Sequence, residues 1–186
     1  MNKTLRLTLY LGIITFISGS ILLQINNQTL PSIQKQALNA KKNALKFVMP
    51  NAAGFAGTDE KLSFDEQTVF KALNIKDQLI GYIFSSAPTG YSGPIKLFIG
   101  VANKKITGVT ILSQTETPGL GALAEDPKMM SGKDFSFLGQ FKEKDINDKF
   151  IAKQDVVALT GATISSQAIA DGIKEAIQQY ENIRIK

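Results

Sequence analysis

An uncharged stretch at the N-terminus constrains this chain more than any other feature. No charged residue occurs from Leu7 to Gln34, and the apolar part of the stretch, residues 7–25, is 19 residues long. At about 1.5 Å per residue, a helix of that length spans roughly 28 Å, close to the ~30 Å hydrocarbon core of a bilayer. A cleaved signal peptide, the alternative, has a shorter apolar region of about 7–15 residues. The stretch therefore predicts a transmembrane helix that is retained.

The charges around this stretch predict its orientation. Lys3 and Arg6 precede it, and the first positive charge after it is Lys35. By the positive-inside rule, the N-terminus lies in the cytoplasm and the rest of the chain on the outer face of the cell membrane. We therefore expect a single-pass protein with its anchor in residues 1–29 and an extracytoplasmic domain in residues 30–186.

The composition excludes several classes of chemistry. The chain has no Cys, so it offers no disulfide, thiolate nucleophile or iron–sulfur ligand. It also has no His, which argues against a metalloenzyme or a Ser/His/Asp hydrolase. Its 21 Lys and Arg are interspersed with 16 Asp and Glu, whereas nucleic-acid binding requires a clustered basic face. Redox work by this chain would need an added cofactor.

The remainder of the chain predicts an α+β fold. Apolar spacing predicts a helix over 31–49, which Pro50 ends, and the composition of 51–63 predicts a loop. Residues 113–155 are mostly irregular, and so long an irregular stretch is more often functional than idle. β-Branched and aromatic runs predict strands at 68–73, 78–85, 95–102 and 106–112, with 156–159 as a last strand.

The last helix is predicted to begin near Ile164. Its apolar stripe consists of Ile164, Ala168, Ile169, Ile173, Ala176, Ile177 and Tyr180. Together, the predicted elements give a small antiparallel sheet packed with helices, preceded by a single N-terminal transmembrane helix.

Thr160-Gly161-Ala162-Thr163 comes directly before this last helix. Gly161 permits unusual backbone torsions and close approach to a ligand. The free N–H groups and dipole at a helix start favour a phosphate. The Thr163 hydroxyl could be an ordinary helix cap, could contact a phosphate, or could be esterified by one.

A second motif, Glu116-Thr117-Pro118-Gly119-Leu120-Gly121, lies about forty residues earlier. By itself Pro118-Gly119-Leu120-Gly121 predicts a turn. The alternative is a backbone wrapped against a flat ligand, with the glycines leaving room. Glu116 is either a solvated loop carboxylate or a hydrogen-bonding group beside such a ligand.

The two motifs together resemble a known family. Gly93-Pro94-Ile95, the paired strands, the segment 116–122 and the segment 160–166 follow one another in this order. With its motifs in this order, the chain resembles the FMN-binding domain of the G subunit of Rnf-type electron transport complexes. It is also similar to the C subunit of the Na⁺-translocating NADH:quinone reductase. The resemblance covers nearly the whole chain, including the membrane helix, and the short length favours the Rnf protein.

The resemblance implies a covalent flavin. The FMN phosphate would be esterified to Thr163 by a separate flavin transferase that uses FAD as donor. The residues that would frame the phosphate are Thr160, Gly161 and Ala162. The residues that would line the flavin are Glu116, Thr117, Gly119, Leu120 and Gly121.

One position departs from the family pattern, which usually has Asp three residues before the first hydroxyl residue of the motif. That position is Val157 here, and Asp155 lies two residues further back. The departure bears on recognition by the transferase, and it affects the flavin pocket less.

The resemblance also implies a function and partners. The chain would be a redox subunit of an ion-translocating ferredoxin:NAD⁺ oxidoreductase, not an independent catalyst. Its partners would be other membrane, iron–sulfur and flavin subunits, the transferase and membrane lipid, with no nucleic acid. The single span has no acidic group, so ion passage would belong to partner subunits.

Other functions are consistent with the residues alone. The domain could hold FMN non-covalently as a membrane-anchored binding module, or it could be a structural assembly subunit without flavin. The role of the C subunit in the quinone reductase is a further alternative.

Overall fold

The computed structural model describes residues 2–57, 69–126 and 136–185, apart from the side chain of Leu5. The chain divides into two compact units, Met1–Lys41 and Lys42–Lys186. The elements in chain order are α1 (Lys3–Val48), β1 (Gly54–Ala56), β2 (Val69–Leu73), β3 (Leu79–Ser86), β4 (Lys96–Ala102), β5 (Lys105–Ser113), two 3₁₀ helices (Gly121–Glu125 and Leu138–Phe141) and α2 (Thr163–Ile185).

The predicted membrane helix and the predicted helix over 31–49 form one continuous helix, α1. Pro31 lies inside it rather than at its start. Proline removes one backbone donor and crowds the carbonyl of the preceding turn, but no Gly or second Pro adjoins it to end the helix. The N-terminal part of α1 is long and apolar enough to cross a membrane.

Polar side chains in the apolar part of α1 bond to the helix itself. The hydroxyls of Thr8, Thr15 and Ser20 donate to backbone carbonyls three or four residues earlier, at 2.8–3.1 Å. A hydroxyl that is satisfied in this way costs less in an apolar environment. These residues are therefore compatible with a membrane-spanning helix.

The sheet is an antiparallel meander in the order β1-β2-β3-β4-β5, which confirms the predicted α+β class. Asn103 and Lys104 link β4 to β5 with φ of 50° and 61°. Two left-handed residues in a two-residue hairpin loop define a type I′ turn, whose twist matches that of the strands. The predicted strands 78–85, 95–102 and 106–112 are confirmed, and so is 68–73 from Val69 onward, since Thr68 lies outside the described residues.

The predicted loop 51–63 contains an unpredicted strand. β1 pairs antiparallel with β2, Gly54 opposite Leu73 and Ala56 opposite Lys71. Of its three residues only Phe55 favours a strand, whereas Gly54 and Ala56 do not, so pairing with β2 determines this element. Residues 58–63 of the predicted loop lie outside the described residues.

Apolar side chains on the two faces of the sheet enter two different cores. On β4, Leu97 and Ile99 pack into the core that contains α2, whereas Phe98 packs with Leu45 and Val48 at the end of α1. Alternate residues of a strand point to opposite faces. Because both faces are covered, β4 is apolar almost throughout.

α2 begins at Thr163, one residue before the predicted start. Most of the predicted apolar stripe is buried, from Ala168 to Ile177. Ile164 is the exception, because 57% of it is exposed. It lies in the first turn of the helix, where its side chain faces solvent, so its place in the stripe was a wrong prediction.

The strand predicted at 156–159 is not formed. Val156 makes a single parallel bridge to Ala152, and the next residues bond to side chains instead of to a neighbouring strand. The N–H of Val157 donates to Gln140 Oε1 at 2.7 Å, and the N–H of Leu159 donates to Ser166 Oγ at 2.9 Å. Side-chain acceptors therefore replace the strand partner that the apolar run predicted.

Candidate functional site

The two sequence motifs meet at the N-terminal end of α2. The hydroxyl of Ser165 donates to Glu116 Oε2 at 2.5 Å, across 49 residues of chain. A Cβ built on Gly161 would lie 3.0 Å from Leu120 Cδ2, so Leu120 covers that glycine closely. Segments that are separate in the sequence thus form one region of the surface.

Glycine is required by the backbone at two points of this region. Gly161 has φ of 75° and Gly119 has φ of 77°, in the left-handed region that other residues rarely adopt. Both glycines are exposed. Each motif therefore contains one left-handed glycine at the surface, and the one at 161 directs the chain into α2.

Thr163 is the first residue of α2 and is half-buried. The carbonyl of Ala162 accepts from the N–H of Ser166 at 3.0 Å and from its hydroxyl at 2.8 Å. The first N–H groups of a helix have no partner within it. In the part of the chain that the structure describes, no side chain caps these N–H groups and the Thr163 hydroxyl makes no hydrogen bond.

An open cleft of 530 Å³ adjoins this helix start. Its volume falls in the range of about 300–1,000 Å³ that is usual for small-molecule sites. The residues that line it are Lys153, Gln154, Val156, Val157, Ala158, Leu159, Thr160, Gly161 and Thr163.

The predicted site residues occupy different places around this cleft. Thr160, Gly161 and Thr163 line it, whereas Ala162 is buried. The second motif lies next to it: Thr117, Gly119 and Leu120 are exposed, whereas Glu116 and Gly121 are buried.

Glu116 connects three segments. Its Oε2 accepts from the Ser165 hydroxyl of α2, and its Oε1 accepts from the N–H of Ser92 at 2.9 Å, in the loop between β3 and β4. A Cβ built on Gly121 would lie 2.6 Å from Glu116 Oε2, so any larger residue there would displace this carboxylate. The carboxylate is 5% exposed, which excludes the interpretation as a solvated loop group.

Replacing Glu116 with alanine is expected to destabilise the site and the fold. The buried Ser165 hydroxyl would lose its acceptor, and leaving a buried polar group unpaired costs about 1–3 kcal/mol. We expect the free energy of unfolding in detergent to fall by that amount in Glu116→Ala. Glu125→Ala, which removes an exposed carboxylate of the nearby 3₁₀ helix, is the control and should change it by less than about 0.5 kcal/mol. Equal stabilities of the two variants would show that the hydrogen bonds of Glu116 do not stabilise the fold.

Asp155 has a structural role. Its carboxylate accepts from the N–H groups of Phe150 and Ile151 at 2.8 and 2.7 Å, and it lies 3.6 Å from Lys144. Burial acts to raise the pKa of Asp155, but these donors and Lys144 outweigh burial and hold the pKa below its ordinary value of 3.8. Its oxygens are engaged inside this turn, so Asp155 does not stand in for a carboxylate at position 157.

Several residues of this region were not predicted from the sequence. Lys153 and Gln154 line the cleft, Gln140 bonds to both the N–H and the carbonyl of Val157, and Ser92 donates to Glu116. None of them belongs to a motif. Their position depends on how the irregular segment folds back against α2, which a local pattern does not encode.

Comparisons with known proteins find relatives of this chain. The family model of the FMN-binding domain matches residues 90–178, a range that contains both motifs and the cleft. The G subunit of the proton-translocating ferredoxin:NAD(+) oxidoreductase complex of Clostridium ljungdahlii is 31% identical, over 96% of this chain and 92% of the relative. The G subunit of the ion-translocating oxidoreductase complex of Methanosarcina acetivorans is 30% identical, over 89% and 88%. Among solved structures, NqrC of Shewanella oneidensis matches 70% of this chain and 67% of its own, with a TM-score of 0.46 and 17% identity.

Proposed function

The chain belongs to the family of the G subunit of Rnf-type ion-translocating oxidoreductase complexes, and on this premise we propose that it relays electrons through an FMN esterified to Thr163. The family assignment supports a flavoprotein subunit that carries electrons. The covalent bond and its position are our proposal.

One observation carries the proposal: the motif that contains Thr163 forms the start of a long helix beside a ligand-sized cleft. A helix N-terminus favours an anion through its free N–H groups and its dipole. The exposed left-handed Gly161 leaves the backbone open to close approach there.

The residues at this position fit FMN. The Thr163 hydroxyl would hold the phosphate, and the backbone from Thr160 to Ala162 would frame it. The residues that line the cleft are mostly uncharged, which suits a flat aromatic ring. When bound, FMN supplies the capacity to accept and donate one or two electrons, and the protein supplies position and electrostatic environment.

Attachment of the flavin is a phosphoryl transfer. The Thr163 oxygen forms a bond to the flavin-side phosphorus of FAD, the bond between the two phosphates breaks, and AMP leaves. The proton of the hydroxyl is released, and no electron is transferred. The chain has no His, and none of the described residues that line the cleft is a carboxylate, so we assign the general base to the flavin transferase.

We further propose where the protein works. α1 anchors it in the cell membrane with the N-terminus in the cytoplasm, and residues 30–186 form the FMN-binding domain on the outer face. Its electron donor and acceptor are other iron–sulfur or flavin subunits of the complex. Ion translocation belongs to those partners, because the apolar stretch of α1 carries no charge.

The proposal can be tested by the colour of the denatured protein. The full chain would be produced with and without a flavin transferase, purified in detergent and precipitated with acid. We expect the yellow flavin to stay with the precipitate only when the transferase is present, and to bleach reversibly with dithionite once redissolved. Flavin that remains in the supernatant would indicate non-covalent binding, and colourless protein would indicate a structural subunit; either result contradicts the proposal.

Replacing Val157 with aspartate is expected to speed up flavin attachment. The Val157 side chain is 58% exposed, and Gln140 holds only its backbone groups, so aspartate fits without loss of stability. It would restore the carboxylate that the family pattern has there. At limiting transferase, intact mass should show a larger modified fraction for Val157→Asp than for wild type, and Val157→Asn should match wild type. An unchanged fraction would mean that the transferase does not require this carboxylate.

A further inference from the structure

We propose that Lys153 binds the flavin phosphate: its ammonium group stabilises the negative charge that forms on the phosphoryl group at Thr163. This inference rests on the proposed function, because it concerns the same attachment site. No sequence motif includes Lys153, and the family resemblance assigned it no role.

The charge of the cleft supports this assignment. Among the described residues that line the cleft, Lys153 is the one charged side chain; the others are apolar, amide or hydroxyl groups. It shares the lining with Thr160, Gly161 and Thr163. A phosphodiester that enters the cleft therefore meets one full positive charge in addition to the N-terminal end of α2.

The backbone fixes Lys153 at this position. Its N–H donates to the carbonyl of Val156 at 2.8 Å, which closes a tight turn before the cleft. The residue has φ of 66°, a conformation in which a side chain is strained and glycine would cost less. A lysine therefore occupies a backbone position at which glycine would be favoured.

The neighbouring acid does not neutralise Lys153. Asp155 is two residues away, but its carboxylate bonds to the N–H groups of Phe150 and Ile151 and pairs with Lys144. Within the described part of the chain, no carboxylate lies within ion-pair distance of Lys153. Its charge is thus available to a ligand.

The chemistry gives this charge two functions. During transfer, negative charge grows on the phosphoryl oxygens while the bond to AMP breaks, and a nearby cation stabilises that charge. In the product, the phosphodiester that links Thr163 to the flavin keeps one negative charge. Because Lys153 is exposed, we expect an effect of about threefold to fivefold, the upper part of the range of an exposed ion pair.

The test compares charge removal at two positions. The full-length variants Lys153→Gln, Lys153→Arg and Lys149→Gln would be modified by flavin transferase with FAD, and the rate followed by intact mass. Lys149 is exposed and lies outside the cleft lining, so it controls for net charge. Phosphorus NMR of each modified product would report the surroundings of the phosphodiester, and a thermal midpoint equal to wild type would establish that the variant is folded.

We expect Lys153→Gln to react threefold to fivefold more slowly than wild type in about 0.01 M salt, and the gap to close towards about 1 M salt as charges are screened. Lys153→Arg should retain the rate, Lys149→Gln should match wild type, and only Lys153→Gln should shift the phosphorus resonance. Equal rates for Lys153→Gln and wild type would overturn the inference. An unshifted resonance in a slow variant would overturn it too, because Lys153 would then contact only the transferase. If wild type itself gains no flavin, the proposed function has failed instead.

Discussion

Replacing Thr163 with valine is expected to abolish covalent flavin attachment and to leave the fold intact. Valine keeps the branched shape of threonine but has no oxygen on which a phosphoester can form. The Thr163 hydroxyl makes no hydrogen bond among the described residues, so its removal should change the free energy of unfolding by less than about 0.5 kcal/mol. The measurement is flavin fluorescence of the protein band in a denaturing gel, after production with a flavin transferase.

Two variants make this experiment specific. Thr163→Ser keeps a hydroxyl at the helix start and should retain fluorescence. Thr160→Val removes the other hydroxyl of the motif, which also lines the cleft, and should retain it as well. A fluorescent band in Thr163→Val, or a dark band in Thr160→Val alone, would move the attachment point away from Thr163.

Replacing Leu45 with alanine is expected to have the largest effect on stability. Leu45 is 1% exposed and packs with Phe70, Ile83 and Phe98 on the face of the sheet away from α2. Truncating a buried leucine removes apolar contact and leaves a cavity, at a cost of about 2–5 kcal/mol. Chemical denaturation of the full chain in detergent should show a fall of that size in the free energy of unfolding.

Phe47 provides the matched control for Leu45. It lies two residues away on the same helix, is the larger side chain, and is 68% exposed. Phe47→Ala should change the free energy of unfolding by less than about 0.5 kcal/mol. If both variants lose equal stability, the end of α1 does not contribute to the core in the way that the structure describes.

Strands β2 to β5 were predicted from the sequence because their apolar residues are mostly the ones that the sheet buries. β4 and β5 have β-branched and aromatic residues, and the polar residues between them form the turn that joins them. The start of α2 was predicted within one residue. Gly161 lies just before it, and apolar residues at helical spacing follow it, so the sequence signals this helix start on both sides.

Elements that depend on distant partners were not predictable. Val156 and the residues after it look like a strand in the sequence, yet Gln140 and Ser166 supply the hydrogen-bond acceptors that a neighbouring strand would provide. β1 shows the opposite case, because its pairing with β2 makes a strand from residues with little preference for one.

The candidate site shows the same division. Both motifs were identified from the sequence because their glycines and hydroxyl residues lie within a few residues of one another. The hydrogen bond from Ser165 to Glu116 crosses 49 residues, and the contribution of Lys153 depends on a turn at unusual backbone torsions. The sequence therefore identified the segments of the site, and only the structure shows how they are held together.

Mass spectrometry of one peptide can establish whether FMN is esterified to Thr163. Trypsin cleavage after Lys153 and Lys174 releases residues 154–174, which contain Thr160, Thr163, Ser165 and Ser166. Fragmentation of this peptide from protein made with a flavin transferase assigns any added mass to one residue. We expect the mass of FMN less one water on Thr163. An unmodified peptide, or that mass on another hydroxyl, would contradict it.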